Sequence, residues 1–390
     1  MYIQRNIEPK LTYLATKYPV IALVGPRQSG KTTLAKQAFP KHSYFSLEDP
    51  DTALRIMQDP RAFLESDYGA GIILDEFQNE PVLLSYIQGI VDAKYRPGYF
   101  ILTGSHNFLM NQAITQSLAG RVGILTLLPL SCDELDRSSY LPEKAHEAIF
   151  AGGYPNIYVR KLVGEDFYGP YLTTYVERDV RQLINIVRLS DFQKFIRLCA
   201  GRIGQLLDYV SLADDCGISV PTVKAWLSIL EASYVIFLLQ PHFKNFSKRM
   251  VKSPKLYFYD TGLACYLLKI TSPDQLTLHY LYGGLFESFV IADICKTFFN
   301  KGQQPSVYFW RDSRGKEIDC LLDYGSRFVP IEIKSTQTFN SRFFEGIAYY
   351  RELAGAEVAQ SAIVYAGKGD HKLSDRALLN WAEASTKLVE

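Results

Sequence analysis

One stretch decides the fold of the N-terminal region: Gly25-Pro26-Arg27-Gln28-Ser29-Gly30-Lys31-Thr32-Thr33, which contains G-x-x-x-x-G-K-T. The glycines let a loop turn so that backbone N–H groups point at phosphate oxygens. Lys31 places a cation on the β- and γ-phosphates, and the Thr32 hydroxyl is a ligand for Mg²⁺. An apolar strand over Val20–Val24 precedes the loop, and a helix whose N-terminal dipole favours anions follows it. The stretch therefore predicts a nucleoside triphosphate site at these nine residues; a chance match is the alternative.

Composition is that of an ordinary soluble protein. The chain has 390 residues, of which 47% are hydrophobic and 21% charged, with a net charge of +1, and we expect two or three domains. Its six cysteines are scattered without a C-x-x-C pair, so we expect buried thiols in a reducing cytoplasm. We find no signal-peptide pattern and no apolar run long enough to span a bilayer. These features predict a cytoplasmic protein that does not enter a membrane.

Two carboxylates end a second predicted strand. Gly71–Leu74 is apolar and is followed by Asp75 and Glu76. In a P-loop fold we expect this strand beside the first one, so that its carboxyl end reaches the nucleotide. Asp75 would then hold Mg²⁺ through water, and Glu76 would polarise the attacking water. An acidic strand end that faces solvent is the alternative.

A third strand also ends in polar residues. Tyr99–Gly104 leads into Ser105, which can sense the γ-phosphate or orient water, and Thr103 and Asn107 are the other candidates for this role. The alternation of strands with helices favours a parallel α/β sheet.

Arg121 lies at a junction between a helix predicted over Gln112–Leu118 and a strand predicted over Ile124–Leu128. A guanidinium at the edge of the domain can reach the γ-phosphate of a neighbouring subunit as an arginine finger, which contributes about 10³–10⁵ in kcat. Pairing with a surface carboxylate is the alternative.

Four motifs together resemble the prokaryotic AAA+-type P-loop ATPases that carry a C-terminal domain of unknown function. These are Gly25–Thr32, Leu74–Glu76, Leu102–Ser105 and Leu118–Arg121. The resemblance covers nearly the whole chain and implies an AAA+-like core, hydrolysis of ATP with Mg²⁺, assembly into a dimer or ring, and the finger role for Arg121. Arg178 also matches the family pattern and is the other candidate for a nucleotide-sensing arginine; a charged residue on a solvated helix is its alternative.

The middle of the chain predicts a helix-turn-helix. Helices over Ser211–Cys216 and Val220–Leu230 flank a turn at Gly217–Ser219, and the apolar stretch Tyr234–Leu239 begins a β-wing. The stretch Phe243–Lys255 has no acidic residue, and its cations suit contacts with DNA phosphates. They are Lys244, Lys248, Arg249, Lys252 and Lys255. A winged helix that serves only to pack domains together is the alternative.

The last region resembles the PD-(D/E)xK nuclease superfamily. Glu332 and Lys334 are two apart on a predicted strand and project from one face, and Asp319 on the paired strand can meet them. The resemblance implies Asp319 and Glu332 as Mg²⁺ ligands, Lys334 as the residue that orients or activates water, and Glu287 as the carboxylate of the preceding helix. Hard oxygen ligands beside a cation suit phosphodiester cleavage. A salt-bridged pair and a nuclease fold without activity are the alternatives.

The sequence thus predicts an α/β protein with three regions. They are a parallel-sheet, AAA+-like P-loop ATPase domain over residues 1–150, a helical and winged-helix region over residues 151–278, and an αβ PD-(D/E)xK-like domain over residues 279–390. The expected cofactors are ATP and Mg²⁺, and the expected partners are DNA, for instance branched or broken, and further copies of the chain in a homo-oligomer. The alternative is a nucleotide-dependent switch or scaffold whose C-terminal domains bind a protein and cut nothing.

Overall fold

The computed structural model describes residues 2–105, 114, 117–176, 189–242, 251–358, 360–369, 371–373 and 376–389. Some predicted features lie outside these residues: Asn107, most of the helix over Gln112–Leu118, Arg178, and the cations Lys244, Lys248 and Arg249. The chain divides into two compact units. The first comprises Met1–Leu130, Ala232–Tyr234 and Phe299–Gln303, and the second comprises Ser131–Glu231, Val235–Phe298 and Gln304–Glu390.

The first unit contains a parallel sheet. Its strands within the described residues are β1 (Val20–Gly25), β2 (Ser43–Ser46), β3 (Ile72–Asp75), β4 (Phe100–Ser105) and β5 (Val122–Thr126). The strand order is β2-β3-β4-β1-β5, and each adjacent pair is parallel. The predicted parallel α/β fold is confirmed. One expectation is wrong: β4 lies between β1 and β3, so the strand that ends in Asp75 is not beside the first strand.

Helices cover both faces of this sheet. Successive side chains of a strand point to opposite sides, so the apolar residues of one strand enter two different cores. Val20, Ala22 and Val24 enter one core, and Ile21 and Leu23 enter the other. The helices that cover the two faces are α1 (Glu8–Ala15), α2 (Lys31–Ala38), α3 (Pro50–Gln58), α4 (Pro60–Glu65) and α5 (Leu83–Ala93). Helices α1 and α2 pack on the face of Ile21, and α3 to α5 pack on the face of Val20.

The second unit begins with helices: α6 (Cys132–Arg137), α7 (Ala145–Ala151), α8 (Pro155–Val159), α9 (Gly164–Tyr171) with a π turn at Leu172–Val176, α10 (Leu189–Ala200), α11 (Tyr209–Cys216) and α12 (Val220–Ala232). The carboxylate of Asp208 caps α11, and Gly217 ends it in the left-handed conformation that glycine favours. An antiparallel hairpin of β6 (Ile236–Leu239) and β7 (Lys255–Phe258) follows. The helix–turn–helix order thus follows the predicted one.

A buried carboxylate joins three segments of this helical part. Asp260, directly before α13 (Thr261–Leu267), accepts hydrogen bonds from the Gly153 backbone at 2.7 Å and the Tyr168 hydroxyl at 2.6 Å. A Cβ at Gly152 would lie 2.1 Å from that hydroxyl, so only glycine fits there. This carboxylate therefore holds α9, the Gly153 backbone and the start of α13 together.

The rest of the second unit is built on a mixed sheet. Its elements are α14 (Pro273–Leu278), α15 (Tyr282–Asn300), β8 (Val307–Arg311), β9 (Glu317–Asp323), β10 (Phe328–Lys334), α16 (Glu345–Ala354), β11 (Ser361–Tyr365), β12 (His371–Leu373), β13 (Arg376–Asn380) and α17 (Ala384–Leu388). The order among the described strands is β12-β13-β11-β10-β9-β8. Strands β8, β9 and β10 are antiparallel neighbours, and β10, β11 and β13 are parallel. Because β9 and β10 are antiparallel, the first residues of β9 lie beside the last residues of β10.

The cysteines and the helices bear on two expectations from composition. All six cysteines are buried free thiols, as predicted. Within the described part of the chain, no helix has the length and apolarity needed to cross a membrane.

Candidate functional site

The phosphate-binding loop follows β1 and has a backbone that only glycine accepts at two places. Gly25 has a φ of 150°, and a Cβ there would lie 2.2 Å from the carbonyl oxygen of Leu127. Gly30 is left-handed, with a φ of 96°, and directly precedes α2. Lys31 opens that helix, and its Nζ donates to the carbonyl oxygens of Gly25 at 3.2 Å and Pro26 at 2.8 Å. The cation is thus held at the loop that the sequence predicted for the phosphates.

Asp75 is the centre of a cluster of hydroxyl groups at the carboxyl ends of β2, β3 and β4. Its carboxylate accepts hydrogen bonds from Thr32 Oγ1 at 3.0 Å, from Tyr44 Oη at 2.8 Å and from Thr103 Oγ1. Burial and the neighbouring carboxylate raise the pKa of Tyr44, which stays a donor. The hydroxyl of Thr32 and the carboxylate of Asp75 are hard oxygen donors in contact with each other, and so they fit Mg²⁺.

Glu76 and Ser105 are joined by a residue that the sequence reasoning missed. Glu76 is left-handed, with a φ of 53°, an uncommon backbone for a residue with a side chain. Gln78 follows in a 3₁₀ turn over Phe77–Asn79, and its Nε2 donates to the Glu76 carboxylate and, at 3.1 Å, to Ser105 Oγ. A glutamine in a turn is too common to attract notice in a sequence.

Arg5 is a second residue that the sequence reasoning missed. Its guanidinium is buried and donates to the carbonyl oxygens of Ser29 and Leu128, both at 2.7 Å. These bonds tie the phosphate-binding loop to the segment after β5. Only the fold brings a residue from the start of the chain to this loop.

Arg121 lies at the opposite end of the sheet from the phosphate-binding loop. The next residue, Val122, pairs with the first residue of β1, Val20, whereas the loop begins after the last residue of β1. Five residues of strand separate these points, roughly 16 Å. The guanidinium forms two bonds to Asp92 on α5, of 2.5 and 3.0 Å. This is the carboxylate pairing that the sequence left open, and the finger role stays a prediction.

The C-terminal site lies where β9 pairs with β10. Their register pairs Cys320 with Ile331 and so sets Asp319 opposite Glu332. Lys334 Nζ lies 2.6 Å from a Glu332 oxygen and 3.2 Å from an Asp319 oxygen, so the salt bridge that the sequence left as an alternative is present. Burial, with Asp319 beside it, raises the pKa of Glu332 to about 8. Burial alone would lower the pKa of Lys334, but the two carboxylates outweigh it and raise it.

Glu287 lies on α15 in a second set of ion pairs, which is close enough to Asp319 for its charge to act on Glu287. Its carboxylate accepts hydrogen bonds from Lys255 Nζ at 2.9 Å and from Tyr257 Oη at 2.5 Å. Lys255 also forms an ion pair with Glu317. Burial raises the pKa of Glu287 to about 7. Lys255 is only 4% exposed, so its predicted place among the DNA-contacting cations of the wing is wrong.

The predicted metal ligands of the C-terminal region are not brought into one coordination group. Among the described residues, no set of three or more His, Cys, Asp and Glu side chains is arranged to hold a metal ion. Asp319 and Glu332 adjoin each other, whereas Glu287 faces a lysine and a tyrosine. The metal roles of these carboxylates stay predictions.

Comparison with known families gives three matches along the chain. Residues 17–136 match the AAA domain, residues 142–274 a domain of unknown function (DUF8612), and residues 282–383 another domain of unknown function (DUF4143). Uncharacterized protein Rv2008c of Mycobacterium tuberculosis is 30% identical over 379 residues, which cover 95% of this chain and 82% of that protein. Uncharacterized protein Mb2031c of Mycobacterium bovis gives the same values.

Solved structures show more distant likenesses. The Walker-type ATPase PABY2304 of Pyrococcus abyssi is 17% identical with a TM-score of 0.47, over 68% of this chain and 96% of that one. A point variant of RuvB from Thermotoga maritima is 19% identical with a TM-score of 0.30, over 60% and 88%. The AAA-domain match spans the loop, Asp75, Glu76 and Ser105 on the parallel sheet. The N-terminal region is therefore an AAA-type, nucleotide-dependent P-loop ATPase domain.

Proposed function

Since the chain belongs to the same family as Rv2008c of Mycobacterium tuberculosis, an AAA-domain family, we propose that it is an Mg²⁺-dependent AAA+ ATPase that acts on DNA. The observation that carries the second part is the position of Lys334 between Asp319 and Glu332 on paired strands. Two acidic side chains and a lysine in this order have the D…E-x-K arrangement of metal-dependent nucleases.

In the ATPase domain, the position of each predicted residue is consistent with the role that we propose for it. Lys31 binds the β- and γ-phosphates, and Thr32 with Asp75 would hold Mg²⁺, which when bound offsets negative charge on the phosphates. Glu76 orients water and takes its proton, and Ser105 contacts the γ-phosphate.

In the C-terminal region, Asp319 and Glu332 fit one divalent cation. Both are hard oxygen donors, and the raised pKa of Glu332 reflects its burial and the charge of Asp319, which a cation between them would offset. Such a metal would polarise a phosphodiester, and Lys334 would orient the water. We give Glu287 no metal in this proposal, because no three acidic side chains of the described residues are arranged to hold one ion.

DNA would reach this region through a winged helix formed by α11, α12 and the hairpin β6–β7. Lys224 on α12 and Lys252 before β7 are exposed cations of the described residues that can contact phosphates. Binding of this kind weakens steeply with salt.

The test measures DNA binding, DNA cleavage and ATP turnover on the full chain. We expect salt-sensitive filter binding to duplex, single-stranded or branched DNA, faster ATP turnover with DNA, and cleavage with Mg²⁺ or Mn²⁺. Lys31→Ala should lose turnover, and Asp319→Asn and Lys334→Ala should lose cleavage, whereas the exposed Lys316→Ala serves as the matched control. Absence of binding to all three DNA forms would overturn action on DNA, and wild type that never cuts would leave a binding fold.

A second candidate, a nucleotide-dependent switch or scaffold for a protein partner, is favoured by one observation. The carboxylates of Glu287, Glu317, Asp319 and Glu332 each pair with a lysine of the chain itself, as in a structural ion-pair network. This candidate predicts ATP turnover that DNA leaves unchanged, no cleavage, and a stable partner in pull-downs.

A further inference from the structure

We propose that Gln78 is a positioning residue that links Ser105 to Glu76, so that contact of Ser105 with the γ-phosphate sets the position of the Glu76 carboxylate. Ser105 ends β4 and Glu76 follows β3, so the two side chains come from different strands. The amide of Gln78 bonds to both. This inference deepens the proposed function and rests on the roles proposed there for Glu76 and Ser105.

The chemistry of the amide determines its orientation. The Nε2 group carries two N–H donors, and an ionised carboxylate only accepts, so the nitrogen must face Glu76. A half-turn of the amide would place its carbonyl oxygen against the carboxylate, where the two would repel. One N–H therefore bonds to Glu76 and the other to Ser105 Oγ, at 3.1 Å.

The bond to Ser105 also directs the serine hydroxyl. Because its oxygen accepts from Gln78, its own hydrogen is available for another acceptor. A phosphate oxygen at the end of β4 is such an acceptor, since the phosphate-binding loop follows the neighbouring strand β1 and Ser105 pairs with Gly25. One amide thus connects a phosphate contact to the group proposed to orient water.

Two unfavourable local features support a functional reason for this arrangement. Glu76 is held in the left-handed region, with a φ of 53°. The Oε1 atom of Gln78 is buried and has no hydrogen-bond partner among the described residues. A Cβ at Gly104 would lie 2.3 Å from this atom, so any other residue there would displace the amide from this position. Packing alone would be served better by an apolar side chain at Gln78.

The test replaces the amide without shortening the side chain. Gln78→Met keeps the length and loses both donors, and Gln78→Glu keeps the shape and places an acceptor there. We expect both to lower single-turnover hydrolysis of ATP about 10- to 100-fold, the loss typical of a misplaced reacting group, with ATP affinity and KM within about twofold of wild type. Gln37→Met, on the exposed face of α2, is the matched control and should change nothing.

A double-mutant cycle with Ser105→Ala separates a link from two independent effects. If Gln78 transmits the contact of Ser105, the double variant should be about as slow as the slower single variant. Losses that multiply, normal hydrolysis in Gln78→Met, or a change in ATP affinity equal to that in rate would overturn the proposal. Glu76→Gln distinguishes this from failure of the proposed function: normal hydrolysis in that variant would show that Glu76 does not act on water at all.

Discussion

At the residue scale, the nucleotide site depends on one carboxylate that three hydroxyl groups hold in place. Asp75 bonds to Thr32 from α2, Tyr44 from β2 and Thr103 from β4. Charge-assisted bonds of this kind are stronger than neutral ones. They fix the carboxylate beside the helix that carries Lys31 even though β3 does not adjoin β1.

Removing the bond from Tyr44 should therefore be measurable. We expect Tyr44→Phe to lower the free energy of unfolding by about 1–3 kcal/mol, the cost of a lost hydrogen bond to a charged group. The measurement is urea unfolding without nucleotide, and Tyr13→Phe, at an exposed tyrosine of α1, is the control. Equal stability of the two variants would show that Asp75 does not need this donor.

Sequence reasoning found the residues of a local motif and missed those whose partners are distant in the chain. Lys31 and Thr32 were predictable because the loop motif is local and each of its residue types has a defined task. Tyr44, Gln78 and Arg5 act through partners on other strands or at the far end of the chain, and nothing in their neighbouring sequence marks them.

For the secondary-structure elements, periodicity predicted most strands and helices but not which elements pack beside one another. The apolar runs of β1, β3 and β4 indicated buried strands, and each was found close to its predicted position. The place of β4 between β1 and β3 was missed, because strand order depends on how the crossovers pack rather than on the pattern within a strand. The same limit explains Lys255: its basic neighbours suggested an exposed wing, whereas β7 turns it towards α15.

Lys255 is one of the β7 residues that bond to α15. Lys255 is buried between Glu287 and Glu317, and its loss leaves the Glu287 carboxylate without a cation, whereas Glu317 keeps its pair with Arg311. We expect Lys255→Met to cost about 3–5 kcal/mol in free energy of unfolding, the range for breaking a buried ion pair. Urea unfolding measures this cost.

Two comparisons make the result specific to the ion pairs. Lys252→Met, at an exposed lysine three residues earlier, should leave stability within about 0.5 kcal/mol of wild type. Adding Glu287→Gln to Lys255→Met should recover part of the loss, because one unpaired charge is removed. If the double variant is as unstable as the sum of both changes, Lys255 stabilises the protein through packing and not through charge.

For the whole molecule, the position of Arg121 decides what the predicted finger role would require. Its guanidinium lies at the amino end of β5, whereas the phosphate-binding loop lies at the carboxyl end of β1, so the predicted finger role would require the nucleotide of another copy. With a net charge of only +1, the chain has little overall charge repulsion to oppose such assembly. Its bonds to Asp92 hold the guanidinium at the surface.

Shared sites predict complementation between two inactive variants. Lys31→Ala should lose ATP binding but keep its finger, and Arg121→Ala should bind ATP but lose hydrolysis. Mixed in equal amounts, they should regain roughly a quarter of wild-type turnover in a dimer, because half of the pairs are mixed and each holds one complete site. The measurement is ATP turnover over a range of mixing ratios.

Asp92→Ala, which removes the partner but keeps the guanidinium, should retain turnover. Normal turnover of Arg121→Ala alone would instead make the bond to Asp92 its whole role, and a mixture that stays inactive would refute a site shared between copies.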